Sequence, residues 1–477
     1  MDDTRKKVLL SRRDFLRLGG GLTLTAMLAA CGAPAGGTPT QAPAEPAAPT
    51  AAPEPTPVPA EPAEPTVAVA EFGSSDKPTV FWHGLGGADG KTMVTMLETY
   101  AGQGQAVRSE TYDWNVFYQK LPTSVVAGTP PDLAIMHEWA IQQFATQGLL
   151  QPVDEIFFTS GLIPKDDFNQ SLLETVSYDG KVMGVPFDNH GWGLFYNTKL
   201  ITDAGLDPNN LPKNQAEFLT WADKLTVDEA GKHPSEDGFN PDKVKVWAIH
   251  ASWQRFTMPS TMWQFGGGII TEDRTKSLLD SEGTIAAIQF WHDLMYKYRV
   301  CPPAVPGTPP GGDLYKTNSL VFWWDGSWSL NFFKDNPDVE AVTKAGFLNS
   351  LAPDGKQAAK MASHLLVVPV GVKDDALERA KNLIKWLSDN GKTWATSGQV
   401  PARLSVQQDP EVQSIWSVKV FAEEFKAIGR TDVPHKAATE IQTTWEAAVS
   451  GALANTTSVK DALAEGSKQI QAILDRG

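Results

Sequence analysis

Cysteine is almost absent from this chain. Only Cys31 and Cys301 occur in 477 residues, which excludes a disulfide framework and a cysteine-rich metal site. Positive charge is short too: 41 Lys+Arg stand against 56 Asp+Glu, a formal net charge of −15. Such a surface repels phosphate backbones, and the body of the chain has no basic cluster to offset it, so nucleic acid is not expected as a partner. Tyrosines number eight, few for a ferric-iron site built on phenolates, and the clustered arginines that a phosphate ester would need are missing. There is no glycine-rich phosphate loop, no H-E-x-x-H helix and no G-x-S-x-G elbow, and thiol catalysis would have to rest on Cys301. No metal and no cofactor are expected. With 42% hydrophobic and 20% charged residues the composition is that of a globular protein, long enough to bury more than one core.

The first residues read as an address. Arg5-Lys6-Lys7 and Ser11-Arg12-Arg13-Asp14-Phe15-Leu16-Arg17 precede an apolar stretch from Leu18 to Ala30 that ends in Leu28-Ala29-Ala30-Cys31-Gly32. The stretch is shorter than the ~20 residues a bilayer crossing needs. The pattern over residues 1–31 resembles a twin-arginine export signal fused to a bacterial lipobox, which implies cleavage before Cys31 and acylation of its thiol. Residues 32–71 then read as a linker; Ala33 to Thr66 holds eleven prolines in 34 residues, a composition that favours an extended stalk.

From Lys77 onward short β-branched or aromatic runs alternate with amphipathic stretches. Thr79–His83, Leu133–His137, Val182–Phe187, Val244–Ile249, Ser319–Trp324 and Leu365–Val370 read as strands. Asp374 to Ser388 puts Leu377, Ala380, Leu383, Ile384 and Leu387 on one helical stripe, with Asp374 or Asp375 placed to cap it. Ile288, Trp291, Met295 and Tyr298 keep the same period, and Ser458 with Asp461 opens a C-terminal helix. The alternation predicts an α/β fold with mostly parallel sheets, whose ligands bind outside the carboxyl ends of strands.

Several segments together resemble one family. They are Thr79–Gly84, the Gly128-Thr129-Pro130-Pro131-Asp132-Leu133 turn, Gly180–Pro186 with Gly193–Leu200, Trp263–Gly267, Asp325-Gly326-Ser327-Trp328 and Gly398–Arg403. Their order is similar to that of extracellular solute-binding proteins of the maltose-binding type, which serve ABC importers. The resemblance implies a type II periplasmic-binding-protein-like fold, with discontinuous lobes around a hinged cleft, one from 72–187 plus 365–403 and the other from 188–364 plus 404–477. Chain crossings would fall near Phe187–Asn189, Ala362–Leu365 and Pro401–Ser405. It also implies a small-molecule sugar ligand, delivery to permease subunits, and a monomer that binds without catalysis. His190 stands where the maltose-binding member has an acidic residue, and Gln442 or one of its neighbours where it has a C-terminal tryptophan.

Sixteen tryptophans point to sugar chemistry, because a pyranose packs its C–H face on an indole and turns its hydroxyls to planar polar groups. Trp139, Trp192, Trp253, Trp263 and Trp328 sit where strands run out into loops, whereas Trp291 and Trp386 lie on helical stripes and belong to the core. The polar candidates are Asp188, Asn189 and His190 at the first crossing, with His83, Glu138, Asp325, His364 and Arg403. Carboxylates accept bonds from vicinal hydroxyls, and His or Arg donate. A polyamine or polyol would use a similar set, and a secreted glycoside hydrolase would need two of the carboxylates.

Overall fold

The computed structural model describes residues 67–476, so the segment read as an export signal, Cys31 and the expected stalk up to residue 66 lie outside the described residues. The strands that position the site are β1 (Ala68–Phe72), β2 (Thr79–His83), β3 (Val107–Thr111), β4 (Leu133–His137), β5 (Val185–Asn197), β6 (Val244–Ile249), β7 (Leu320–Gly326) and β8 (Ala359–Val367). Side by side they run β1-β3-β2-β4-β8-β5-β7-β6. Three of the strands read from sequence, β2, β4 and β6, have the expected limits, because each is a short run of β-branched or aromatic residues closed by Gly or polar residues. The stalk was expected to reach residue 71. Instead Ala68–Phe72 pairs antiparallel with β3, since the alternating Ala-Val-Ala-Glu-Phe, free of proline, can extend a sheet edge.

β2 is parallel to β3 and β4, and β6 is parallel to β7, as the alternation of elements predicts. The middle differs. β8 is antiparallel to β4 and β5, and β5 is antiparallel to β7. β5 joins the halves: Val185 to Gly191 pairs with β8, and Trp192 to Tyr196 pairs with β7, so one strand serves two sheets. The handover comes a few residues beyond the expected crossing. Val400–Pro401 pairs with Asn189 and Asp188 alongside it.

Separate cores lie on either side of that handover. One collects Phe81, Leu133, Ile135, Phe187, Leu366 and Leu383; the other collects Trp192, Leu194, Met262, Trp291, Trp445 and Ile470. Together they make the two-lobe α/β architecture. Alternation along β5 sends Leu194 and Tyr196 into the second core and Phe195 to the opposite face, where Trp323 and Phe421 pack. Gly193 is required there, because a Cβ would stand 2.0 Å from the Phe421 ring.

The helices follow their patterns. Asp374–Asp389 buries Ala380, Leu383, Ile384 and Leu387, and Ser458 accepts the Asp461 N–H at the start of the helix Val459–Leu474. The expected aspartate cap of the former is absent: Lys373 holds the cap position with no side-chain bond, and Asp374 itself has φ +50°. Among the described residues no helix is long and apolar enough to cross a membrane.

Candidate functional site

Between the cores lies a cleft of about 1310 Å³. The first lobe supplies the Gly84–Asp89 loop at the carboxyl end of β2, Trp114 after β3, and His137 and Trp139 at the end of β4. The second lobe supplies Trp253, Arg255, Phe256, Asp325 and Trp328, and His190, Lys360, Ala362 and His364 form the floor where the strands cross. This is the carboxyl-end position that open α/β sheets favour.

Two aromatic walls face the gap. On the second lobe Trp328 packs edge-on against Phe256 at 5.2 Å and Trp253 at 6.2 Å between ring centroids. Gly326 makes room for it, since a Cβ would sit 2.2 Å from the Trp328 indole. Trp253 keeps 62% of its surface exposed and has φ +39°, a left-handed conformation that costs a non-glycine residue about 1 kcal/mol. That backbone holds an indole out in the gap. On the first lobe Trp114 stacks on His364 with 15° between the planes, and Gly84 is the residue that lets it lie there.

The floor is polar, and strand register builds it. His364 on β8 stands opposite His137 on β4 and opposite Asp188 on β5, and His190 lies two residues after Asp188 on the same face. Asp188 accepts from His190 Nδ1 at 2.9 Å, His364 Nδ1 at 2.9 Å and Trp394 Nε1 at 2.7 Å. Burial opposes ionisation of Asp188, but the His364 charge and these bonds outweigh it and hold its carboxyl well below the usual range. Burial likewise disfavours a charged His364, yet Asp188 and its hydrogen bond raise that ring above the ordinary histidine value. The neighbours go the other way. Burial and the His364 charge push His83 down to about 3 and His190 down to about 4, and His137 falls well below its ordinary value. Asp188 and His364 thus favour each other's charged forms, whereas burial favours the neutral forms of His83, His137 and His190. Burial also raises Asp325 to about 7 although it accepts the Gly326 N–H and the Ser329 hydroxyl.

Of the residues singled out from sequence, Trp139, His190, Trp253, Asp325, Trp328 and His364 line this cleft. Trp263 lines a neighbouring cavity of about 550 Å³, beneath Arg430, and Trp139 borders both spaces. His83, Glu138, Asp188 and Asn189 stand behind the surface. His83 bonds Ser109 Oγ and accepts the Leu85 N–H that starts the cleft loop; Glu138 accepts the Ser363 N–H, and Asn189 accepts the Ser363 hydroxyl. Trp192 is a correction. It is completely buried beneath Phe256 and Trp328, because from position 192 onward the even-numbered residues of β5 face the second core. Arg403 is another: its guanidinium is held by Asp167 at 2.7 Å and Asp389 at 2.8 Å, away from the cleft lining. Trp114, Phe256 and Arg255 were not anticipated, although Trp114 obeys the same strand-end rule as the others.

The sequence profile of the bacterial extracellular solute-binding protein family matches residues 93–420, more than half of the chain. The chain belongs to that family. It is 26% identical to the maltotriose-binding protein of Pyrococcus abyssi over 361 residues, 72% of this chain and 70% of that one. It is 25% identical to the diacetylchitobiose binding protein DasA of Streptomyces coelicolor over 312 residues, 64% of this chain and 68% of that one. Its fold is similar to the crystal structure of an ABC transporter solute-binding protein of Thermotoga lettingae bound with alpha-D-tagatose. The TM-score is 0.71 at 23% identity, covering 83% of this chain and all of that one.

Proposed function

We propose that this family member binds a carbohydrate between its lobes and presents it to the permease subunits of an ABC importer, working as a monomer by closure and release. The observation that carries the ligand class is the pair of facing aromatic walls, with Trp253 held open to the gap at a cost in backbone strain. An indole takes the C–H face of a pyranose, and His190, His364 and Asp325 offer donors and acceptors for its hydroxyls. The second cavity at Trp139 gives room for more than one ring, so an oligosaccharide fits the space better than a monosaccharide. The names of the two sequence relatives, both oligosaccharide binders, point the same way.

Closure would use β5, Ala362–Leu365 and Pro401–Ser405 as the crossings between residues 72–187 plus 365–403 and residues 188–364 plus 404–477. The arginine pair, short apolar run and Cys31 support export followed by lipid anchoring on the outer face of the cell membrane, with the proline-rich stalk as spacer. Titration calorimetry of the full chain against mono- and oligosaccharides, polyols and polyamines tests the ligand class. Micromolar or tighter binding of a sugar is expected, and binding of a polyamine alone overturns the carbohydrate reading. Replacing Cys31 with Ser should release the protein from membranes; continued membrane association would overturn the anchor.

A further inference from the structure

We propose that His137, His190 and His364 form a zinc site at the floor of the cleft, with its open coordination position facing the ligand space. One ring nitrogen from each lies within 4.8 Å of the other two, and all three side chains border the cleft. The trio is a product of register: β8 sets His364 directly across from His137, while His190 sits diagonally on β5. Ring centroids are 4.0 Å apart for His190 and His364, 4.8 Å for His137 and His364, and 5.3 Å for His137 and His190.

The hydrogen bonds assign the nitrogens. Nδ1 of His190 and of His364 is taken by Asp188, and Nδ1 of His137 by the Tyr118 hydroxyl at 2.7 Å. Nε2 is therefore the ligating atom on each ring. For His190 that atom is buried with no hydrogen-bond partner among the described residues, a state a neutral hydrogen-bonding core would not leave. A carboxylate that fixes two imidazoles by Nδ1 is the outer-shell arrangement that orients histidines toward a metal and raises their basicity. Tyr118 does the same for the third ring by accepting from Nδ1–H when His137 ligates. Three imidazoles with a vacant fourth position suit Zn²⁺, which tolerates such open tetrahedral sites. Tetrahedral ligands at about 2.05 Å stand about 3.3 Å apart, so loading draws the ligating nitrogens together and turns the stacked His190 and His364 rings toward the ion.

Loading displaces the Nε2 proton of His364, whose charged form Asp188 favours in the metal-free floor. The other nearby cations are already paired, Lys360 with Asp432 at 2.6 Å and Arg255 with Glu446 at 2.7 Å. Asp188 compensates from behind, and Asp89 and Glu138 also act on His364 through space. The trio lines the same cleft as the aromatic walls, so a hydroxyl or carboxylate of the bound solute can complete the coordination.

The full chain, stripped with a chelator, should take up one equivalent of Zn²⁺ in equilibrium dialysis with micromolar or tighter affinity. Co²⁺ in its place should give the visible absorption of a tetrahedral nitrogen-ligated ion. His190→Gln and His364→Gln should each weaken uptake by about 10–100-fold, whereas His233→Gln, remote from the cleft, should leave it unchanged. Absence of stoichiometric Zn²⁺ uptake by the unsubstituted chain overturns the proposal without reference to the folding of any variant. So does uptake that survives both cleft substitutions, or a Co²⁺ spectrum of octahedral type. Sugar titrations of the chelated protein decide the carbohydrate reading independently.

Discussion

At the floor of the cleft Asp188 is completely buried and takes hydrogen bonds from three side chains, whereas on the wall Trp253 stands open, with no hydrogen bond from its side chain among the described residues. The floor is assembled from residues 137, 188, 190 and 364, brought together only when β8 slots between β4 and β5. The wall comes from local pieces, a left-handed residue capping the helix Gln254–Gln264 and a glycine that clears space for Trp328. The floor should therefore answer to substitution mainly in stability, and the wall mainly in affinity.

The sharpest break is Asp188→Ala. Removing one side of a buried, fully bonded ion pair leaves His364 without its partner, and a loss of about 3–5 kcal/mol is expected in urea unfolding at neutral pH. A loss under about 1 kcal/mol would mean the floor is soft enough to let water replace the carboxylate, and the contrast with the wall would fail.

Asp325 tests the wall's own buried charge. Its carboxyl is raised to about 7 in the folded chain against about 4 when unfolded, so the folded state holds the extra proton across that window. The sign follows: this group's contribution to stability is largest at low pH and drains away as pH rises toward 7. Asp325→Asn removes that drain while keeping an acceptor for the Gly326 N–H. Melts of the two proteins at pH 5 and pH 8 should show the variant gaining about 2 kcal/mol on the parent between those values. Glu138, also raised to about 7 by burial, is present in both proteins and cancels. A pH-independent difference would place Asp325 in contact with water.

Trp253→Gly separates strain from binding. Glycine adopts φ +39° freely, so the fold should gain up to about 1 kcal/mol. Affinity for the cognate sugar should fall about tenfold, because the exposed indole face is lost. A stability loss instead would show that Trp253 packs rather than waits for a ligand.

Local signals made much of the fold readable. β2, β4 and β6 were bounded by turn residues, and the Leu377–Leu387 stripe declared its helix. The sequence pattern marks Leu365–Val370 as this strand, whereas β8 spans Ala359–Val367, because Ala-Lys-Met-Ala-Ser carries no strand pattern of its own and its buried Lys360 is paired only by distant Asp432. The histidine trio had no local signal at all: each ring was visible, but only β8 pairing makes them neighbours. Trp192 and Trp253 show the converse limit. Trp192 lies within β5 and Trp253 beyond β6, and which indole meets the gap depends on the face of β5 and on one left-handed backbone, neither of which composition records.

The smallest effect is expected outside both regions, at the Pro401–Ser405 crossing. Arg403 grips Asp167 and Asp389 with its side chain 17% exposed, and Asp167 also accepts the Ser405 N–H and hydroxyl. Partly solvated pairs of this kind contribute about 0.2–1 kcal/mol, and Ser405 continues to satisfy Asp167 when the guanidinium is gone. Arg403→Gln should therefore cost under about 1 kcal/mol in unfolding and leave sugar affinity within about twofold. A larger change in affinity at unchanged stability would mean that this crossing sets how far the lobes close, and that floor and wall are coupled through it rather than answering separately.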